Sequence, residues 1–73
     1  MLNKIVEMLN EKGYHYNVMN NTVEIRYCGD VTMVFVVVNN QCKIYKYVDD
    51  SIVSESKWYK RLSYAWKYLI HNA

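Results

Sequence analysis

The sequence predicts an α+β fold in one small domain, with a helix at each end packed on the same face of an antiparallel sheet. Three observations lead to this prediction. Apolar residues recur at helical spacing near both ends of the chain, and two segments in between alternate apolar with polar residues. A run of eight mostly β-branched residues, Val31–Val38, has the composition of a strand buried on both faces. Because 73 residues are too few for two cores, we expect a single domain over residues 1–73.

The first part of the chain predicts a helix followed by a β-hairpin. One apolar stripe has the i, i+3, i+4, i+7 spacing of a helix over residues 1–12, and Gly13 supplies a left-handed position that ends it. The stripe consists of Leu2, Ile5, Val6 and Leu9. Tyr14–Met19 and Thr22–Tyr27 alternate with period two and are separated by two asparagines, which tolerate the positive φ of a tight turn.

The second part predicts one more strand and a long helix. Gln41–Val48 follows the central run and completes a three- to four-stranded antiparallel meander. The acidic residues of 49–51 suit the start of a helix, which we expect to run from about Ile52 or Glu55 to Ile70. Its predicted buried stripe consists of Trp58, Leu62, Ala65, Trp66, Leu69 and Ile70.

The register of the sheet decides which residues the helices cover. An extra residue in the hairpin at Gly29, closed by a glycine bulge, gives one apolar face. That face consists of Val23, Ile25, Tyr27, Met33, Phe35, Val37, Cys42 and Ile44. The opposite face then carries an apolar patch of Val34, Val36, Tyr45 and Tyr47. A register shifted by one residue would expose Met33 and Phe35 instead, so either register leaves an apolar strip uncovered. Such a strip predicts a protein interface, either with another protein or in a homodimer.

A second candidate surface is basic and rich in tyrosine. It comprises Lys57, Lys60, Arg61, Tyr64, Lys67 and Tyr68, all on one face of the predicted C-terminal helix. The cations could neutralise phosphates while the rings stack on bases, which would make the chain a nucleic-acid-binding module. The other interpretation is a solvated helix surface whose cations interact favourably with the helix dipole.

The sequence indicates neither catalysis nor metal binding. The cysteines and histidines lack zinc-ligand spacing, and the two adjacent aspartates do not form an opposed carboxylate pair. The chain has no glycine-rich phosphate loop or nucleophile elbow. We therefore expect a non-enzymatic protein with no metal, cofactor or small-molecule substrate. A small ribonuclease or similar enzyme is the third hypothesis, since a catalytic set of residues distant in sequence can assemble in space. Cys28 and Cys42 are separated by the central strand and are expected to stay reduced in the cytoplasm, and no membrane-spanning segment is expected.

Two resemblances in layout add expectations. The helix–sheet–helix order resembles the double-stranded RNA-binding domain, and this resemblance would place residues 56–61 where that family clamps phosphates. The layout is also similar to one type II anti-CRISPR protein, through LNKIVEMLNEKGYHY at the start and DSIVSESKWYKRLSYAW later in the chain. This second resemblance implies a phage or mobile-element protein that inhibits a host nuclease by occupying its surface. Because that inhibitor is acidic and this chain has a net charge of +2, the surface used would differ.

Overall fold

The computed structural model of the chain describes residues 1–72, and all of their side chains except those of Tyr27 and Cys28. The elements in chain order are α1 (Leu2–Lys12), β1 (Tyr16–Met19), β2 (Thr22–Cys28), β3 (Val31–Val38), β4 (Gln41–Val48), β5 (Ser51–Glu55) and α2 (Leu62–Asn72). The strands form one antiparallel meander in the order β1-β2-β3-β4-β5. The predicted α+β class is confirmed, but the sheet has five strands instead of three or four.

Helix α1 forms where its apolar stripe predicts it. Ile5 and Leu9 are fully buried, and Gly13 ends the helix with φ = 77°, a left-handed conformation that glycine adopts without a Cβ clash. The N–H of Gly13 donates to the carbonyl of Asn10, and the N–H of Tyr14 donates to that of Leu9, so the last turn of the helix retains its hydrogen bonds. This end of the chain matches the sequence prediction.

The sheet has the predicted register and one apolar face packed against both helices. The register shifts by one residue between Arg26 and Cys28, so the extra residue lies in β2 and not in the turn at Gly29. The core combines residues of this face with residues of both helices: Ile5, Leu9, Val23, Ile25, Met33, Phe35, Cys42, Ile44, Ala65 and Leu69. Val37 is partly buried against it. The predicted inward position of Tyr27 lies outside the described side chains.

The predicted start of the C-terminal helix is wrong, because residues 51–55 form β5 instead. Asp49 and Asp50 have φ values of 51° and 65°. Positive φ at both central residues gives the primed turn that matches the twist of a hairpin, and aspartate tolerates this conformation better than most residues. The following Ile52 and Val53 are β-branched and favour a strand. Acidic residues that were expected to start a helix therefore reverse the chain into a fifth strand.

Residues 56–59 continue along β4, and the chain then bends at residues 60 and 61 before α2 begins at Leu62. Cys42 and Tyr59 exchange two backbone hydrogen bonds of 2.8 and 2.7 Å. Ser56 is buried, and its backbone N–H donates to the carbonyl of Ile44. The Ser56 hydroxyl accepts the N–H of Ile44 at 2.8 Å and donates to the carbonyl of Lys57 at 2.7 Å. These hydrogen bonds hold residues 56–59 against β4, so they do not belong to the helix.

Helix α2 buries a narrower stripe than predicted. Ala65 and Leu69 are fully buried, and Leu62 and Trp66 pack partly buried against the core. Ile70 is 52% exposed, so its predicted burial is wrong. Trp58 is 43% exposed and precedes the helix, so its predicted place in the buried stripe is also wrong.

Candidate docking face of the sheet

The sheet face opposite the two helices, here called the uncovered face, carries all four residues of the predicted apolar patch. Cross-strand pairing orders its side chains in three rows. The first row contains Thr22, Val36 and Lys43; the second Glu24, Val34, Tyr45 and Glu55; the third Arg26, Thr32, Tyr47 and Ile52. No described helix lies over these rows, because α1 and α2 both contribute to the core on the other side. The apolar patch is therefore the centre of a surface five strands wide.

The apolar patch is partly buried by its own neighbours, whereas the perimeter is more exposed. Val34 lies directly across from Tyr45, an aromatic–β-branched pair of the kind that stabilises sheets. At the perimeter, Met19 is 68% exposed and Ile52 is 53% exposed. Trp58 lies beside Lys43 at the end of the first row. The apolar area thus extends from the centre of the face to its edges.

Lys43 is held among acidic and aromatic side chains at one side of the face. Its ammonium forms an ion pair with Glu55 and lies 5.5 Å from the ring centre of Tyr45 and 5.7 Å from that of Trp58. The hydrogen bond to Glu55 is the largest cause that raises the pKa of Lys43. The ammonium lies within cation–π distance of both rings, so it helps to hold them in place.

The charges in the three rows of the uncovered face balance. Arg26 and Lys43 are cationic, and Glu24 and Glu55 are anionic. The surface forms an open hollow of about 460 Å³ that extends from Met19 on β1 to Tyr47 on β4, and the exposed Asp50 of the β4–β5 turn also lines it. With Asp50 counted, the face has two basic and three acidic side chains. A hollowed, partly apolar surface without excess positive charge suits a protein better than a polyanion.

The basic, tyrosine-rich residues do not form one helix face. Lys57, Tyr64, Lys67 and Tyr68 line one shallow depression of about 420 Å³, together with Tyr59 and His71; this group is here called the tyrosine–lysine cluster. Lys60 and Arg61 instead line a separate depression near Lys4. The predicted continuous stripe is wrong because Lys57, Lys60 and Arg61 precede α2 and do not follow its helical spacing.

Within the tyrosine–lysine cluster, the ring of Tyr64 is accessible, whereas the side chain of Tyr68 contacts neighbouring residues. The Tyr68 hydroxyl lies 2.5 Å from that of Ser54, and its ring centre lies 6.3 Å from that of Tyr59. Tyr64 is 51% exposed, with the Lys67 ammonium 5.8 Å from its ring centre. Tyr68 therefore contributes to packing between α2 and β5, and Tyr64 is the accessible ring.

Sequence reasoning missed three residues of the uncovered face: Ile52, Glu55 and Trp58. All three were assigned to a helix, which would have removed them from the uncovered face. The signal that could have found them is the pair Ile52–Val53 directly after two aspartates, since β-branched residues that follow a turn-forming pair favour a hairpin strand.

Outside these two surfaces, the described part of the chain has few groups suited to metal binding or nucleophilic chemistry. Among the side chains that the structure describes, no group of three or more His, Cys, Asp or Glu is arranged to hold a metal ion. Cys42 is a buried free thiol, and burial raises its pKa to about 11. Neither described helix has the length and apolar run that crossing a bilayer requires.

Comparison of the chain with protein-family models, curated proteins and solved structures found no match.

Proposed function

We propose that the protein is a non-enzymatic protein-binding module that docks a partner on its uncovered face. One observation supports this proposal above the others. The central strand β3 is apolar on both sides, and the helices cover only the side that carries Met33 and Phe35. The other side places Val34 and Val36 at the middle of an uncovered surface. An apolar centre with a polar and aromatic perimeter is the usual anatomy of a protein interface.

The composition of the uncovered face supports a protein as the partner. Tyrosine and tryptophan give a large contact area for a small loss of side-chain entropy, and they dominate the binding energy of many interfaces. Tyr45 and Trp58 are both positioned by Lys43, so part of the cost of ordering them is met before a partner binds. The similarity in layout to an anti-CRISPR protein extends the proposal to a mobile-element inhibitor, because such proteins act by occupying a surface without catalysis. The cytoplasmic location stays a prediction.

Two tyrosine variants test the docking proposal. Tyr47→Ser removes a ring from the uncovered face, and Tyr64→Ser removes a similar ring from α2 as a matched control. We expect Tyr47 to be a hot-spot residue, whose truncation costs at least about 2 kcal/mol, or roughly thirtyfold in affinity. Tagged wild-type protein, incubated with cell lysate and with untagged copies of itself, should retain a protein that Tyr64→Ser also retains and Tyr47→Ser loses. The proposal is contradicted if both variants retain the protein equally. It is also contradicted if the wild type retains neither a protein from the lysate nor untagged copies of itself.

A second candidate function, nucleic-acid binding, is favoured by the tyrosine–lysine cluster. The Lys67 ammonium lies 5.8 Å from the centre of the accessible Tyr64 ring, and the Lys57 ammonium lies 5.7 Å from that of Tyr59 in the same depression. This arrangement could contact phosphates and one base. Under this function, Lys57→Glu with Lys67→Glu should abolish binding to a single-stranded oligonucleotide, and added salt should weaken wild-type binding steeply. Lys60→Glu with Arg61→Glu is the control, because it makes the same charge change outside the cluster. Equal loss in both double variants would indicate only general electrostatic attraction.

A further inference from the structure

We infer that Lys4, Lys60 and Arg61 form a binding site for a phosphate group. They line one open depression of about 590 Å³, here called the basic depression, whose walls come from the start of α1, the β3–β4 turn and the start of α2. The basic depression shares no lining residue with the hollow of the uncovered face or with the tyrosine–lysine cluster. The site is therefore independent of both functions proposed above.

The basic depression concentrates positive charge without a counter-charge. None of its lining residues is acidic. The only ion pair between described side chains joins Lys43 to Glu55, so none of the three cations has an acidic partner within bonding distance. A guanidinium can bind two phosphate oxygens at once, and ammonium groups neutralise the remaining charge. Three cations around one depression therefore favour an anion with more than one negative charge, such as a phosphate group.

The three cations occupy positions that are electrostatically unfavourable in the chain alone. Lys4 lies in the first turn of α1, and Lys60 and Arg61 directly precede α2. The N-terminus of a helix carries a partial positive charge, so acidic side chains stabilise it and cations are repelled by it. Neither helix has an acidic residue in its first turn. Such a departure from the local rule, made at both helices and on the same depression, indicates a bound anion that offsets the repulsion.

Neither helix is capped by the side chain of the residue that precedes it. Met1 precedes α1 and forms no side-chain cap hydrogen bond. Arg61 has the N-cap position of α2, because its carbonyl accepts the N–H groups of Tyr64 and Ala65. The Arg61 side chain has donors only, so it cannot accept the N–H of Ser63 as a serine or aspartate would. First-turn N–H groups therefore add to the donors that the three cations offer a phosphate group.

Contacts within the chain hold the walls of the basic depression in place. The backbone nitrogen of Met1 donates a hydrogen bond of 3.3 Å to the side-chain oxygen of Asn40, which links the β3–β4 turn to the start of α1. Leu62 packs partly buried against the core and fixes the start of α2. The amide nitrogen of Asn40 and the hydroxyl of Ser63 supply uncharged donors on the same walls. The cations are thus placed on supported chain segments.

Titration with inorganic pyrophosphate, followed by NMR of the isotope-labelled protein, is the first test. The backbone amide resonances of Asn40, Leu62 and Ser63 should shift and reach saturation. Sodium chloride at the same ionic strength should not cause saturable shifts, because a screening salt does not occupy a defined site. Shifts that sodium chloride reproduces overturn the inference.

Two double variants with the same change of charge locate the binding. Lys60→Gln with Arg61→Gln removes two cations from the basic depression and should raise the pyrophosphate Kd at least about tenfold. Lys57→Gln with Lys67→Gln removes two cations from the tyrosine–lysine cluster and should change the Kd by less than about twofold. Equal weakening by both double variants overturns the site.

Arg61→Asp distinguishes a binding residue from a structural one. Aspartate at this position supplies a cap for the first-turn N–H groups and a charge that the helix dipole favours. The variant should therefore have a higher Tm than the wild type without ligand, and it should lose pyrophosphate binding. Pyrophosphate should raise the Tm of the wild type and leave that of Arg61→Asp unchanged. An Arg61→Asp variant that is less stable than the wild type, or that binds pyrophosphate as tightly, overturns the inference.

A second probe distinguishes the sources of the phosphate group. Pyrophosphate represents soluble phosphate compounds, and phosphatidylcholine vesicles that contain phosphatidic acid represent a lipid headgroup. Vesicles of phosphatidylcholine alone are the blank. Saturable binding of pyrophosphate without sedimentation on the vesicles assigns the site to a soluble compound. Sedimentation that Lys60→Gln with Arg61→Gln abolishes assigns it to a lipid. If neither probe binds, the inference is overturned.

Discussion

Replacing Ser56 with alanine tests whether the segment between β5 and α2 stabilises the sheet. The Ser56 hydroxyl accepts the N–H of Ile44, a residue buried in the core. Alanine removes this acceptor and leaves a buried donor unpaired, at a cost of about 1–3 kcal/mol. A core of this size leaves about 3–5 kcal/mol of net stability, so the loss is a large fraction of the total. For a domain of this length each 1 kcal/mol lowers Tm by about 4–8 °C.

Urea unfolding followed by tryptophan fluorescence measures this loss directly. Ser51→Ala serves as the control, because Ser51 is exposed at the start of β5 and its substitution should change the free energy of unfolding by less than about 0.5 kcal/mol. We expect Ser56→Ala to lower the urea midpoint clearly below that of Ser51→Ala with an unchanged m-value. If the two variants unfold at the same midpoint, then the Ser56 hydroxyl does not hold the segment against β4.

Three further predictions concern single positions. Gly13→Ala should destabilise the fold by about 1 kcal/mol, since φ is 77° and nothing lies within 4 Å of a new Cβ, so the cost is conformational alone; an unchanged Tm would contradict this. Asp50→Gly should raise the unfolding free energy by about 0.5 kcal/mol, because glycine suits the second position of the primed turn better; a lower urea midpoint would contradict it. Burial raises the pKa of Cys42 from 9.0 to about 11, so with rising pH the thiol loses its proton at a lower pH in the unfolded chain than in the folded one. The free energy of unfolding should therefore fall by up to about 2 kcal/mol between pH 9 and 11. In Cys42→Ala that part of the fall should be absent, and an identical pH profile would refute the assignment.

The first four strands and α1 could be predicted because their local signals agree with their packing. Alternation placed Val23 and Ile25 inward, and the eight-residue run of β3 was bounded by turn residues on both sides. Side chains alternate between the two faces along a strand, and β3 and β4 pair without interruption from Val31 to Val38. This alternation determines which of their residues lie on the uncovered face. Val34 and Tyr45 were placed correctly for this reason.

The fifth strand and the start of α2 could not be predicted because local signals conflict there. Asp49 and Asp50 suit both a helix start and a primed turn. The decision depends on long-range contacts, chiefly the hydrogen bonds of Ser56 with Ile44 and of Tyr59 with Cys42. No local pattern records those contacts. The error assigned Trp58 to a helix instead of the edge of the uncovered face, and it joined Lys60 and Arg61 to a cluster from which the structure separates them.

The position of Trp58 helps to decide whether the uncovered face is a docking surface or only a consequence of strand composition. Valine and tyrosine favour strands on any face, so strand propensity alone could explain Val34, Val36 and Tyr45. It does not explain Trp58, which lies in the irregular segment after β5 and is 43% exposed beside Lys43. A large ring held in place at the edge of an apolar face, outside any strand, contributes contact area where a partner would sit. Its placement therefore favours docking.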